Sequence, residues 1–507
     1  MANESPNVAL DAARTVGRTI KNLRWYVCGL LFLVTLINYI DRQTMGVLNP
    51  ILKVELGWDD AGFGWINFAF SLAYAIMFGV AGRVLDRVGV RVGLIWAVFF
   101  WSLAAAGHSL AHGVVGFAIA RFALGLGEAA NFPGCIKATA EWFPRRERAL
   151  AAGIFNSGSS IGIMLSPLIV LLATRLGWRA AFVLTGALGF TWVVLWALVY
   201  RAPEAHRNLG DEEREVILGD KEPSGGAVQV RVPWTSLLRY RETWAFALGK
   251  MMTDPVWWFY LFWLPTYLTK ERGVTALTAS MMLLYPYVAA GAGSIAGGWL
   301  SGFLMKLGWS VGGGRLMAMG VFALFMPGAI VAVLTHNSVV ALSLISLATA
   351  SHQAWSANLL TLPSDMFPKR LVGSVVGLGG MAGAIGGMFM TLLVGGVLQA
   401  THDYVPLFIA AGLMHPLALL VIILFAGRDF KQAEVDTGDA APSRNLFLTG
   451  GAVTLSGAGL IGVVLVSWGV LEKRSLSAAV QGLVASIGVA VLGAALLYAS
   501  RGRRSGE

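Results

Sequence analysis

The residues best suited to chemistry are four charges in apolar surroundings: Asp41 and Arg42 in "INYIDRQTMG", and Arg121 and Glu128 in "ARFALGLGEAANFPG". A charge at membrane depth costs kilocalories and usually lines a water-filled cavity or meets a partner. An arginine there stays protonated and offers a planar fork matched to a carboxylate, so Arg42 suits recognition of an organic anion. A carboxylate at that depth without a fixed partner can be neutral and then charged within one cycle, which is what proton coupling asks of Asp41 and Glu128. A structural reading competes, in which Asp41 pairs with Arg121 and Arg42 with Glu128 to hold two helices together. The readings can coexist, with the pairs as a resting state that substrate and proton break.

Around these charges stand polar and aromatic candidates. Tyr39 lies one helical turn from Arg42, and Tyr74 sits mid-way along the second apolar run. Lys250 and Asp254 are an i, i+4 pair ahead of Trp257, Trp258 and Tyr260, whose rings can stack on a sugar. Lys250 also reads as a side chain snorkelling near an entrance. His352, Trp355 and Asn358 fall within one later run and are candidates for a polar ligand. A gate is suggested by "GRVLDRVGVRVG", beginning at Gly82: Gly82 allows close helix approach, Gly89 permits a turn, and Asp86, flanked by Arg87 and Arg91, can sit beside a helix N-terminus or an arginine as a latch. Lys137 and Glu141 belong to the same gate. The related segment "GGWLSGFLMKLGWS" lacks the acid, so the stronger latch is expected in the first half.

Those residues need elements to hold them, and composition says which. Of 507 residues, 56% are hydrophobic and only 13% charged, with 62 Gly and 18 Trp, and the mean hydropathy is +0.67. Long apolar helices packed through small residues follow, and an ordinary soluble domain does not. The net charge of +10 is read as topology-setting Lys and Arg, not as a nucleic-acid surface. Cys28 and Cys135 both lie in apolar runs, so neither a disulfide framework nor a metal cluster is expected. The first twenty residues carry charges without an apolar core, which predicts no cleavable leader.

Reading the apolar runs as spans of about 20 residues gives twelve, near 25–48, 62–82, 92–111, 114–137, 148–172, 180–200, 243–268, 278–305, 315–335, 338–362, 371–400 and 404–426. Two more follow near 446–470 and 476–499. The fold class is therefore an all-α polytopic membrane protein of two six-helix halves plus an extra two-helix hairpin. The corresponding segments are a cytoplasmic 1–24, an N-terminal bundle 25–200, a linker 201–242, a C-terminal bundle 243–427, a second linker 428–445, the hairpin 446–500 and a basic tail 501–507. With the N-terminus inside, 27 Lys and Arg fall in inside segments and 7 in outside loops. That bias predicts both termini in the cytoplasm.

The chain also repeats itself. At an offset of 224 residues, "EWFPRRERALAAGIFNSGSSIG" overlies "DMFPKRLVGSVVGLGGMAGAIG", which makes the halves parallel repeats. In that register His352 falls opposite Glu128. The hairpin lies outside the repeat, and its uncharged Gly/Ala faces suggest peripheral packing or a dimer contact around an otherwise monomeric transporter in lipid.

The loop beginning at Gly82 resembles the signature of the major facilitator superfamily. "INYIDRQTMG", "GLGEAANFPG", "EWFPRRERALAAGIFNSGSSIG" and "DPVWWFYLFWLPTYL" are similar to its anion:cation symporter branch, particularly the hexuronate transporters, over about residues 20–430. The resemblance implies an inner-membrane symporter for a sugar carboxylate, driven by a proton gradient without a cofactor. It further implies that Arg42 contacts the substrate carboxylate, that Asp41 and Glu128 titrate, and that Tyr74 is a cavity tyrosine. Where sugar-acid relatives can have Gln in span 5, this chain has Ser159, so the hydroxyl pattern recognised stays open. An exchanger or uniporter for an aldarate or aromatic carboxylate is the alternative. A membrane enzyme is disfavoured by the lack of a nucleotide loop, a metal-binding pair or a nucleophile motif.

Overall fold

In lipid every backbone polar group must find a partner within the protein, so an apolar chain folds as helices joined by short turns. The computed structural model describes residues 19–219, 234–430 and Ala433. Among these residues nine helices are long and apolar enough to cross a membrane, or ten if the bent pair Arg145–Met164 and Ser166–Leu176 counts as one span. They fall on spans 1 to 6, 8, 9, 11 and 12 of the sequence reading. The seventh and tenth runs are also helices, Arg241–Glu271 and Ser338–Leu359. Both are less apolar because they carry Lys250, Asp254 and their aromatic neighbours, or His352, Gln353, Asn358 and several serines. The expected hairpin at 446–500 lies outside the described residues.

Several spans are broken, each for a local reason. Span 4 is Gly113–Glu128 followed by Asn131–Trp142, not one helix over 114–137. Pro133 has no N–H to donate to the Ala129 carbonyl, so the helix interrupts there and leaves Glu128 at its end. Span 5 bends by 41° before Ser166, where Pro167 enters the first turn of the next piece. Spans 2 and 3, Asp60–Val88 and Val90–Gly107, turn on Gly89 with φ 82°, a conformation that disfavours a side chain.

Span 5 packs along the span-8 helix Leu284–Lys306, and span 2 along span 11, Val372–Thr401. These contacts join the halves, and small residues make them possible. A Cβ at Gly82 would overlap the Gly373 carbonyl, one at Gly153 the Ser294 carbonyl, and one at Gly298 the Ala149 carbonyl. Trp65, Trp96, Val115, Leu198, Leu324 and Val339 are exposed on the outside, an apolar surface suited to lipid.

The linker is not wholly a free tether. Its helix Asp211–Leu218 buries Ile217, and Glu213 accepts from the Leu23 and Arg24 backbone N–H groups and from the Arg24 guanidinium. A carboxylate thereby satisfies donors that the start of span 1 leaves unpaired. Residues 220–233, which include "EPSGG", lie outside the described residues.

Candidate functional site

A cavity lies between the halves. Span 1 supplies Tyr39 and Arg42, span 2 Tyr74 and Phe78, span 4 Phe132, and span 5 Asn156. Facing them are Lys250, Asp254, Trp257 and Trp258 of span 7, His352, Gln353, Ser356 and Leu360 of span 10, and Gly380 and Ala384 of span 11. On spans 7 and 10 the lining positions recur at i, i+4, i+7 and i+8 or at i, i+1, i+4 and i+8, each a single helix face.

Arg42 donates from Nε and Nη2 to the same oxygen of Glu128, at 3.0 and 2.8 Å. The other Glu128 oxygen has no hydrogen-bond partner, and the side chain is fully buried. The guanidinium lies 5.0 Å from the Tyr39 ring centre, 5.1 Å from Phe70 and 4.6 Å from Tyr74, a cage that favours a cation and still opens to the cavity. Arg121 lies behind it, not on the cavity wall: Nη2 donates to the Arg42 carbonyl at 2.8 Å, while Nε and Nη1 find no acceptor. Asp41 is 2% exposed, and neither oxygen has a hydrogen-bond partner, although Thr185 lies beside it. Of the two ion pairs weighed from sequence, Arg42 with Glu128 is therefore formed, and Asp41 with Arg121 is not.

Across the cavity, Lys250 Nζ lies 3.0 and 2.8 Å from the two oxygens of Asp254. Trp257 stacks on His352, ring centres 5.5 Å apart with an 8° interplanar angle. His352 Nδ1 lies 3.0 Å from His415 Nε2 on span 12, Val405–Ala426. Between the halves, Asn156 Nδ2 donates to Gln353 Oε1 at 2.7 Å and Ser294 Oγ at 3.1 Å. Asn156, Gln353 and Ser356 were missed from sequence, since uncharged polar residues in Ser/Gly-rich helices give no depth signal.

Four further expected ligands face elsewhere. Ser159 is buried and donates to the Asn156 carbonyl. Tyr260 packs between Phe259 and Phe408. Trp355 sets its face edge-on to His415. Asn358 donates to the Gly297 and Ala354 carbonyls at 2.9 and 3.1 Å, tying span 10 to span 8. The helical period explains this: positions 355 and 358 turn away from the face that carries 352, 353 and 356.

At one end of the bundle Asp86 closes the halves together. It accepts from Lys137 Nζ at 2.6 Å, from the backbone N–H groups of Gly373 and Ser374 at 3.1 and 2.6 Å, and from Ser374 Oγ at 2.6 Å. Of the other expected gate residues, Lys137 bonds to Leu85 and Asp86 of its own half, and Glu141 lies within electrostatic reach of Lys369 in the second half. Arg87 is exposed, Arg91 donates to the Ala197 carbonyl, and Glu141 accepts from Tyr200. The second half also has a latch. Fully buried Arg315 donates to Asp365 at 3.0 Å and to the Arg145 carbonyl at 2.7 Å, and Arg148 donates to the Ser364 carbonyl at 2.7 Å. Its acid comes from the end of span 10, not from the loop after span 8, and the 224-residue offset pairs it with Glu141. That offset was the available signal.

The family model described as Major Facilitator Superfamily matches residues 31–391. The chain is 35% identical to the hexuronate transporter of Escherichia coli (strain K12), over 80% of this chain and 94% of that protein. It is 36% identical to the galacturonate transporter of Dickeya chrysanthemi, over 61% and 92%. Among solved structures, the proton:xylose symporter XylE bound to 6-bromo-6-deoxy-D-glucose is similar in fold, with TM-score 0.63 and 16% identity over 80% of this chain and 97% of that one.

Proposed function

The chain belongs to the major facilitator superfamily, a family of membrane transporters, and on that premise we propose that it carries a sugar monocarboxylate, such as a hexuronate, together with a proton. The observation that carries this reading is the Arg42 fork. Two of its bonds go to one oxygen of Glu128 and a longer one to Asn38 Oδ1, so the pair joins two helices while the other Glu128 oxygen is left without a partner. Protonation of Glu128 cancels the charge that holds the arginine and leaves a planar fork free for the substrate carboxylate. Binding and proton uptake are then linked, because an anion and Glu128 in its charged form compete for the same donors. Asp41, buried and without a hydrogen bond, is a second proton acceptor behind it, and Arg121 supports the Arg42 backbone. Tyr39 and Tyr74 flank the carboxylate, and the Trp257 face offers a platform for the ring. The identity to hexuronate and galacturonate transporters supports the substrate class.

The Lys and Arg bias supports an inner-membrane protein with both termini in the cytoplasm. On that orientation the end held by Asp86 and Arg315 is cytoplasmic, and the cavity opens outward. Substrate and proton enter there; rocking of one half against the other then breaks the Asp86 and Asp365 contacts and opens the inner end. A proton gradient is the energy source, and no cofactor takes part. The working unit is a monomer in lipid, with a dimer through the Gly/Ala-rich segment 446–500 as the alternative.

The test is Glu128→Gln in proteoliposomes. The amide mimics the protonated state, so exchange of labelled galacturonate down its own gradient persists while accumulation driven by a pH gradient is lost. A variant that still concentrates substrate places coupling elsewhere, and pH-independent uptake by the unaltered protein favours the exchanger reading.

A further inference from the structure

The cavity holds two ion pairs, and they are built differently. Arg42 and Glu128 come from separate helices, and one Glu128 oxygen is left without a partner. Lys250 and Asp254 come from one helix, four residues apart, with the ammonium nitrogen at 3.0 and 2.8 Å from both oxygens. The second pair is also seated in a notch of span 11: a Cβ at Gly383 would overlap an Asp254 oxygen and press on the Lys250 stem. It moves as part of the C-terminal half, and both Asp254 oxygens already have the ammonium beside them. Asp254 nevertheless faces the first site, since it lies within electrostatic reach of both Tyr39 and Tyr74.

We propose that the Lys250–Asp254 pair is the specificity element that confines this site to substrates with one carboxylate. The inference rests on the reading that Arg42 takes the first carboxylate. The far end of a bound sugar acid then meets a cation already neutralised by its own carboxylate. An ammonium has three donors, and with two directed at Asp254 one remains, enough for a hydroxyl. The outward lone pairs of Asp254 accept from a neighbouring hydroxyl. A second carboxylate at the same place gains little from Lys250 and is set against the Asp254 oxygens, a like-charge arrangement that rejects it. Removing the Asp254 charge unmasks the ammonium and turns the filter into a second anion site.

The experiment measures dissociation constants on the purified full-length protein for acids of matched skeleton: galacturonate against galactarate, gluconate against glucarate, and benzoate against terephthalate. The unaltered protein is expected to bind the monocarboxylate at least about tenfold more tightly in whichever pairs it binds. Asp254→Asn is expected to lower that ratio by about tenfold or more through gained dicarboxylate affinity, and Asp254→Glu to keep it. Adding Lys250→Gln to Asp254→Asn removes the gain. Equal binding of both acids by the unaltered protein overturns the proposal, as does an unmoved ratio in Asp254→Asn or a gain that survives in the double variant. If no sugar acid binds, the substrate reading has failed, and the benzoate pair still decides the filter.

Discussion

Arg42 is caged by three rings and bonded to one carboxylate oxygen, so its value lies in shape as much as charge. A lysine keeps the charge and the cation–π contacts but presents a point, not a fork. Arg42→Lys should therefore weaken binding of galacturonate by at least about tenfold, the scale of one lost charge-assisted bond, with the fold intact by melting temperature; calorimetric titration of the variant at parental affinity would remove Arg42 from the carboxylate site. The four charges Asp41, Arg42, Arg121 and Glu128 were legible in the sequence because each is expensive at depth and needs a reason to be there. Which of them pair was not legible. The Asp41–Arg121 pair fails because Arg121 Nη2 instead reaches the Arg42 carbonyl, a backbone acceptor that no pattern of side chains announces. Likewise Gln353 and Ser356 were overlooked beside His352, whereas Trp355 and Asn358 were chosen for their chemistry although the helical period turns them off the cavity face.

At the scale of elements, the long helices among the described residues lie on the first twelve apolar runs, and Gly89 turns the chain where expected. The latch at the second half was hidden because its acid, Asp365, stands far along the chain from Arg315, and only the packing of spans 9 and 10 unites them. The span-2 and span-11 helices meet backbone to backbone at Gly82 and Gly373. Any side chain at Gly82 must push the two helices apart at the end that Asp86 closes, some distance from the cavity lining. Gly82→Val is thus expected to reduce uptake by more than about tenfold, in keeping with an overpacked contact, while the dissociation constant for substrate changes by less than about threefold. Uptake and binding measured on one preparation check this; normal transport by the variant would mean that the contact is not part of the cycle.

For the whole molecule, the cavity lining among the described residues falls between Tyr39 and Ala384. Residues 446–500 lie beyond that range and beyond the 224-residue repeat. A chain ending after Arg444 should retain galacturonate affinity and pH-driven uptake within about twofold, the ordinary scatter for changes remote from a site, with any loss confined to yield or oligomeric state. Loss of affinity in a monodisperse truncated protein would give those residues a part in shaping the site. The glycine contacts between the halves have one more consequence, for heat capacity. Closing a surface built from Gly82 against Gly373, Gly153 against Ser294 and Gly298 against Ala149 hides mostly peptide groups and little hydrocarbon. Polar burial changes heat capacity with the opposite sign to apolar burial, so parting these contacts gives little of the positive heat-capacity change that parting a hydrocarbon surface would. The balance between the two ends of the transport cycle then follows temperature with little curvature, its slope set by the difference in enthalpy between them.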